Sequence, residues 1–116
     1  MVEVLITDTC RDWYVGLNEE ESGKVFEAVE QLKLLGVTLG FPYSSAIRGS
    51  RFPLRELRIK SGRHQLRVLY AFDRERQAVL LLGGDKTGDD RFYEWAIPAA
   101  EKEWEDYVAE IDESSS

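Results

Sequence analysis

The chain has 116 residues, 32% of them charged and 43% hydrophobic, which fits one soluble domain with a core of its own. No apolar run approaches the roughly 18 residues that span a bilayer. The start, Met1-Val2-Glu3-Val4-Leu5-Ile6, has neither the basic region nor the cleavage pattern of a signal peptide and does not read as one, and the single cysteine suggests a reducing compartment, in keeping with a cytoplasmic protein. One cysteine, Cys10, and one histidine, His64, exclude an intrachain disulfide framework and a Cys/His zinc site, and no metal or cofactor is expected.

A net charge of −7 argues against a simple nucleic-acid binder, but the charges are unevenly spread. Of 15 basic and 22 acidic residues, seven bases (Arg48, Arg51, Arg55, Arg58, Lys60, Arg63, Arg67) and one acid (Glu56) lie between Ser44 and Phe72, leaving eight bases against 21 acids elsewhere. A basic patch on an acidic body can still attract phosphates, because salt screens repulsion beyond about 8 Å. Solvated strand and loop arginines would give the same count.

In chain order, Val2 to Ile6 reads as a short strand. Thr7 or Asp8 caps a helix with Cys10, Trp13, Tyr14 and Leu17 on one face, which makes Cys10 a small core residue rather than a nucleophile. A second helix begins at Asn18, with Glu19, Glu20 and Glu21 in its first turn and Glu21 at the capping-box position. Val25, Val29 and Leu32 form its apolar stripe, and Gly36 ends it. The two helices form a hairpin across one face of a sheet. Val37 to Pro53 reads as a loop, with Tyr43, Arg48 and Arg51 as its functional candidates.

Three antiparallel strands follow. The first places Leu57 and Ile59 on one face and Glu56, Arg58 and Lys60 on the other. The second alternates Leu66, Val68, Tyr70 and Phe72 with Gln65, Arg67, Leu69 and Ala71. The third, Ala78 to Leu82, is apolar throughout and so buried on both faces. Turns fall at Ser61-Gly62-Arg63 and Asp73 to Arg76. In a meander Glu56, Arg58 and Arg67 share one face, with Lys86 leaving the sheet at its end. Gly83-Gly84-Asp85-Lys86 invites comparison with a phosphate loop, but the spacing is not that of a Walker motif. Asp89 or Asp90 caps a C-terminal helix that Pro98 kinks or divides. Trp104, Tyr107, Val108 and Ile111 form its docking stripe. The domain spans residues 1–113, and residues 114–116 read as a disordered tail.

The order β-α-α-β-β-β-α, with the runs LRELRIKSG, QLRVLYAF and LLLGGDKTG, resembles the RelE/ParE toxin superfamily, and within it the HigB and phage-derived HigB-like proteins. The resemblance covers Val2 to about Ile111 and is most specific from Leu54 to Lys86. It implies an α+β, RelE-like fold: a small antiparallel sheet, an N-terminal helical hairpin and a C-terminal helix. It also implies the toxin of a type II toxin–antitoxin system. Such a toxin is held by a cognate HigA-like antitoxin and inhibits translation by cutting mRNA on the ribosome. By the same resemblance the active residues are Glu56, Arg58, Arg67 and Lys86 on an open sheet face, with Tyr93 or Phe92 nearby.

Such cleavage needs no metal. The RNA 2′-hydroxyl attacks the neighbouring phosphorus to give a 2′,3′-cyclic phosphate and a 5′-hydroxyl. Arg58 and Arg67 suit the rising phosphorane charge, Glu56 is the general-base candidate, and Lys86 could stabilise charge or donate a proton. Arg48, Arg51, Arg55, Lys60, Arg63, His64 and Tyr93 are the RNA-binding candidates. His64 reads first as a solvated turn residue, with acid catalysis the second reading, and Glu56 with Arg58 has a plain reading as a cross-strand ion pair. Two other readings stay open: a ParE-like inhibitor of a protein target such as gyrase, and a phage host-interaction protein. Trp13, Tyr14, Phe26, Trp95 and Trp104 are candidates for an antitoxin groove.

Overall fold

The hairpin of strands expected at the centre of the chain is the centre of the sheet. In the computed structural model, which describes residues 1–114, β3 (Arg55–Ser61) and β4 (His64–Phe72) turn at Gly62, whose φ of 58° favours glycine. They pair with Arg58 opposite Arg67 and Leu57 opposite Val68. β5 (Ala78–Asp85) continues the meander, with an irregularity between Leu69 and Tyr70.

Two edge strands complete a five-stranded sheet of order β1-β5-β4-β3-β2. β1 (Val4–Ile6) runs parallel to β5, a pairing reached only after a long excursion of the chain. β2 (Ser44–Ala46) pairs antiparallel with β3. The α+β class and element order therefore stand, but the sheet is mixed, and the stretch Val37–Pro53 is not all loop. A 3₁₀ turn (Gly36–Thr38) opens it and β2 lies in its middle. Three residues are too short to show a period of two, so β2 exists through its partner rather than its own pattern.

α1 (Asp8–Val15) and α2 (Glu19–Leu35) form the expected hairpin. The Thr7 side chain caps α1 by accepting from the Cys10 N–H and donates to the Leu81 carbonyl at 2.7 Å, so the cap also ties the hairpin to β5. Asn18 and Glu21 form a complete capping box on α2. Gly36 has φ 55°, and a Cβ there would meet Val2 Cγ1 at 2.9 Å. The hairpin buries Cys10, Val25 and Leu32 against Leu57, Ile59, Leu66, Val68, Tyr70 and Leu80.

The opposite face is covered by α3 (Phe92–Ser114), with Phe92, Ala96 and Ala100 on Leu69, Ala71, Val79, Leu81 and Leu82. Pro98 lies inside this one continuous helix and neither divides nor ends it. It sits on the exposed side, as does Glu94, so water can meet the carbonyl that Pro98 leaves unbonded. The backbone of Ser114 closes α3; the rest of the expected tail, Ser115 and Ser116, lies outside the described residues. No helix among the described residues is long and apolar enough to cross a membrane.

The Gly83-Gly84 pair belongs to β5, not to a phosphate loop. A Cβ on Gly83 would lie 2.1 Å from the Trp13 ring of α1, and one on Gly84 2.7 Å from Phe92 of α3. The missing side chains let one aromatic ring from each helical layer reach the backbone of the strand.

Candidate active site

Beyond the edge of α3, the face of β3 and β4 that points away from the hairpin carries charge. Glu56 is its hub. Its Oε2 accepts from Ser45 Oγ at 3.0 Å, because β2 places Ser45 directly opposite it. Its Oε1 accepts from the Tyr93 hydroxyl at 2.7 Å, delivered by the first turn of α3. Two guanidiniums flank the carboxylate. Arg58 Nη1 lies 3.6 Å from Oε2 and Arg67 Nε 3.6 Å from Oε1. Lys86, just past β5, places its Nζ 5.5 Å from the centre of the Tyr93 ring, close enough for a cation–π contact.

The sheet face is not open at this point. Glu56 is 5% exposed and Arg67 4%, whereas the resemblance implied accessible charges. Arg67 Nη1 donates to the Leu66 carbonyl at 3.0 Å, while its Nε, buried, has no hydrogen-bond partner. The accessible part of the cluster is Arg58, a third of whose side chain is exposed. It lines a surface groove with Pro42, Ile59, Lys60, Gln65 and Arg67. Burial, then the bond to the Glu56 carboxylate, raises the Tyr93 phenol above its usual 10, so Tyr93 is a hydrogen-bond donor at neutral pH.

The other RNA-binding candidates disperse. Arg55 shares the hairpin-side face with Leu57, and its Nε donates to Ser44 Oγ at 3.1 Å; Ser44 Oγ is itself 2.6 Å from the Tyr70 hydroxyl. Arg51 is held by α3, with Nη2 2.7 Å from Glu105 Oε1 and Nε 3.7 Å from Glu101 Oε1. His64 Nδ1 lies 2.7 Å from Asp85 Oδ2 at the tip of the sheet. Asp85 stands opposite Leu66, on the face away from Glu56. Arg48 and Arg63 are exposed but contribute no contact to the cluster. Of the seven, Lys60 and Tyr93 are the two that reach the groove or the carboxylate.

Ser45, Gln65 and Pro42 complete the surroundings. Gln65 was legible from its alternation with Arg67; Ser45 and Pro42 depend on β2, which leaves no sequence pattern. Among the described residues no group of three His, Cys, Asp or Glu side chains is placed to hold a metal ion. Of the five aromatic residues expected to form a partner groove, Trp13, Tyr14 and Phe26 line an apolar cavity of about 220 Å³ between the hairpin and the sheet. Trp95 instead packs edge-on against Phe92, and Trp104 stacks on Tyr107. Cys10, buried under the hairpin, has its thiol pushed up to about 12 by that burial, which suits a core residue and not a nucleophile.

Residues 12–105 match the family model described as "Phage derived protein Gp49-like (DUF891)". The chain is also 37% identical over 108 residues to "Putative toxin HigB3" of Mycobacterium tuberculosis, an alignment covering 91% of this chain and 93% of that protein. It is 38% identical over 105 residues to "Putative toxin HigB2" of the same organism, covering 88% of this chain and 52% of that one. The family match runs from within α1 through much of α3 and takes in every residue of the Glu56 cluster, and the chain therefore belongs to the phage-derived Gp49-like family as a HigB-like protein.

Proposed function

We propose that the protein is the toxin of a type II toxin–antitoxin module and inhibits translation as an endoribonuclease that cuts mRNA on the ribosome. The observation that carries the nuclease reading is the clustering of Glu56, Arg58, Arg67, Tyr93 and Lys86 beside a groove open to solvent. The toxin and antitoxin parts of the reading are supported by the names of the two relatives.

In the reaction the 2′-hydroxyl gives up its proton to solvent water, its oxygen forms a bond to phosphorus, the bond from phosphorus to the 5′-oxygen breaks, and that oxygen takes up a proton. The charge gathers on the non-bridging oxygens, where a fixed guanidinium acts most strongly. Arg58 is the accessible guanidinium, and Lys86 is the candidate donor to the leaving oxygen. Both Glu56 oxygens already accept a hydrogen bond, and two guanidiniums flank them. Glu56 is thus better placed to position Arg58, Arg67 and Tyr93 than to take the 2′-hydroxyl proton. Arg67 supports the groove from beneath.

The test is a translation reaction programmed with a reporter mRNA, to which purified protein is added. Cuts should map to codons in the decoding site and leave 2′,3′-cyclic phosphate ends. Arg58→Ala and Lys86→Ala should cut about 100-fold more slowly, the scale of losing one charge-stabilising contact. Intact mRNA together with blocked DNA supercoiling would transfer the assignment to a ParE-like inhibitor. Co-purification with the product of an adjacent reading frame tests the antitoxin, whose apolar side chains could fill the cavity beside Trp13 and Phe26.

A further inference from the structure

The groove beside Arg58 has an aromatic flank that the chemistry above leaves unused. Phe41 is 76% exposed and Tyr43 55%, on either side of Pro42, which lines the groove itself. Single exposed apolar residues need no explanation. Two aromatic rings within three residues, next to a cluster of cations, do call for one.

The segment is held rather than loose. The Tyr43 carbonyl accepts from the Arg58 N–H at 2.9 Å, continuing the β2–β3 ladder by one step, while the Tyr43 and Ser44 N–H groups both donate to the Gly40 carbonyl. The Arg58 guanidinium carbon lies 5.3 Å from the centre of the Phe41 ring. A guanidinium stacked on a ring keeps its edge N–H groups available for an anion. One side chain therefore joins the aromatic flank to the phosphate-attracting groove.

Resting on the nuclease reading, we infer that Phe41 and Tyr43 form a stacking platform for an unpaired base of single-stranded RNA, whose phosphates lie along Arg58 and Lys60. Alternating cations and exposed rings is the arrangement by which single strands are held without reading sequence, since every base offers a flat face. The platform orients the strand over the cluster and does not touch the reacting atoms.

The test uses a 2′-O-methyl RNA seven-mer, which cannot undergo the cleavage, and an abasic oligonucleotide of the same length and phosphate number. Binding to the full chain is measured at several salt concentrations. Phe41→Leu and Tyr43→Leu should each weaken binding of the base-bearing strand about tenfold, leave the abasic strand unaffected and leave the salt slope unchanged. Phe41→Trp and Tyr43→Phe should bind as wild type. Arg58→Ala should weaken both strands and flatten the slope, because it removes a phosphate contact.

Wild-type protein that binds both strands equally, or leucine variants that lose both equally, would overturn the platform while leaving the cationic groove intact. Failure to bind either strand would overturn the platform, while the nuclease reading would stand or fall separately on cleavage in the translation reaction. Leucine variants that bind RNA as wild type but no longer co-purify with the neighbouring gene product would make the segment a protein contact, and would also overturn the inference.

Discussion

The two faces of the sheet are built from the same strands by different rules. Under the α1–α2 hairpin, β3 and β4 present Leu57, Ile59, Leu66, Val68 and Tyr70 to an apolar core, and burial there needs no partner beyond close contact. On the other face the same strands carry Glu56 and Arg67, nearly as deeply buried, and each must be met by charge or hydrogen bonds to be tolerated. A buried ion cluster is a weak source of stability, since apolar residues of similar volume commonly do as well or better. Its presence here, beside a groove, is the physical ground for reading it as a functional site.

The sharpest way to break this comparison is to remove one partner from the charged face. Glu56→Ala leaves the Arg67 guanidinium buried without its carboxylate and should cost about 3–5 kcal/mol, seen as a fall in melting temperature on the order of 10 °C or more. Glu56→Gln fills the same volume and keeps one of the two accepting oxygens, so it should cost visibly less. Arg67→Ala should likewise be destabilising. The sheet face that the resemblance implied to be open is closed over Arg67, which makes the half-buried Arg58 the cleaner probe of activity, as Arg58→Ala. An Arg67→Ala protein as stable as wild type would show that the cluster is not coupled to the fold.

The glycine pair of β5 compares the two layers directly. Gly83→Ala drives a methyl to within 2.1 Å of the Trp13 ring, while Gly84→Ala meets Phe92 at 2.7 Å. Both should destabilise by roughly 1–3 kcal/mol through overpacking, with Gly83→Ala the worse. Equal unfolding midpoints in denaturant would mean that the hairpin side yields as readily as the α3 side.

Tyr93 supplies a smaller effect, dependent on pH. Its folded phenol titrates above the usual 10, through burial first and then the Glu56 bond. Its contribution is therefore complete below about pH 10 and lost as pH rises through the raised folded value. Tyr93→Phe should cost on the order of 1 kcal/mol at neutral pH, and its deficit should shrink in strongly alkaline solution. Tyr107, raised by burial and by its bond to Asp73, adds an alkaline loss common to both proteins, so the quantity to follow is the difference between them. A deficit independent of pH would remove the phenol from the ionic cluster.

The smallest effect is expected at His64. It is solvent-exposed, paired with Asp85 and turned to the face away from Glu56. His64→Ala should change stability by less than about 1 kcal/mol and leave the mRNA cleavage rate unchanged. A large loss of cleavage would place the hairpin tip in the site after all.

Period and capping are local properties, and what depends on them was legible in the chain. The clean alternation of Gln65 to Phe72 assigned Leu66, Val68 and Tyr70 to one face and Arg67 to the other. Asn18 with Glu21 marked the start of α2, and a meander turning at Ser61-Gly62-Arg63 put Glu56, Arg58 and Arg67 on one face. Contacts between distant segments decided the rest. β2 exists because Ser44, Ser45 and Ala46 find an edge of β3, and Ser45 becomes a partner of Glu56 by that route alone. Arg51 is bound by Glu101 and Glu105, half the chain away in sequence, so its charge is spent on α3. The Gly83-Gly84 pair looked like a loop because glycine is scarce in strand interiors, and its role follows from the two aromatic rings that the helices bring to it. The same holds for Arg67: its residue type and its face could be read from the chain, but its burial is set by what packs around it.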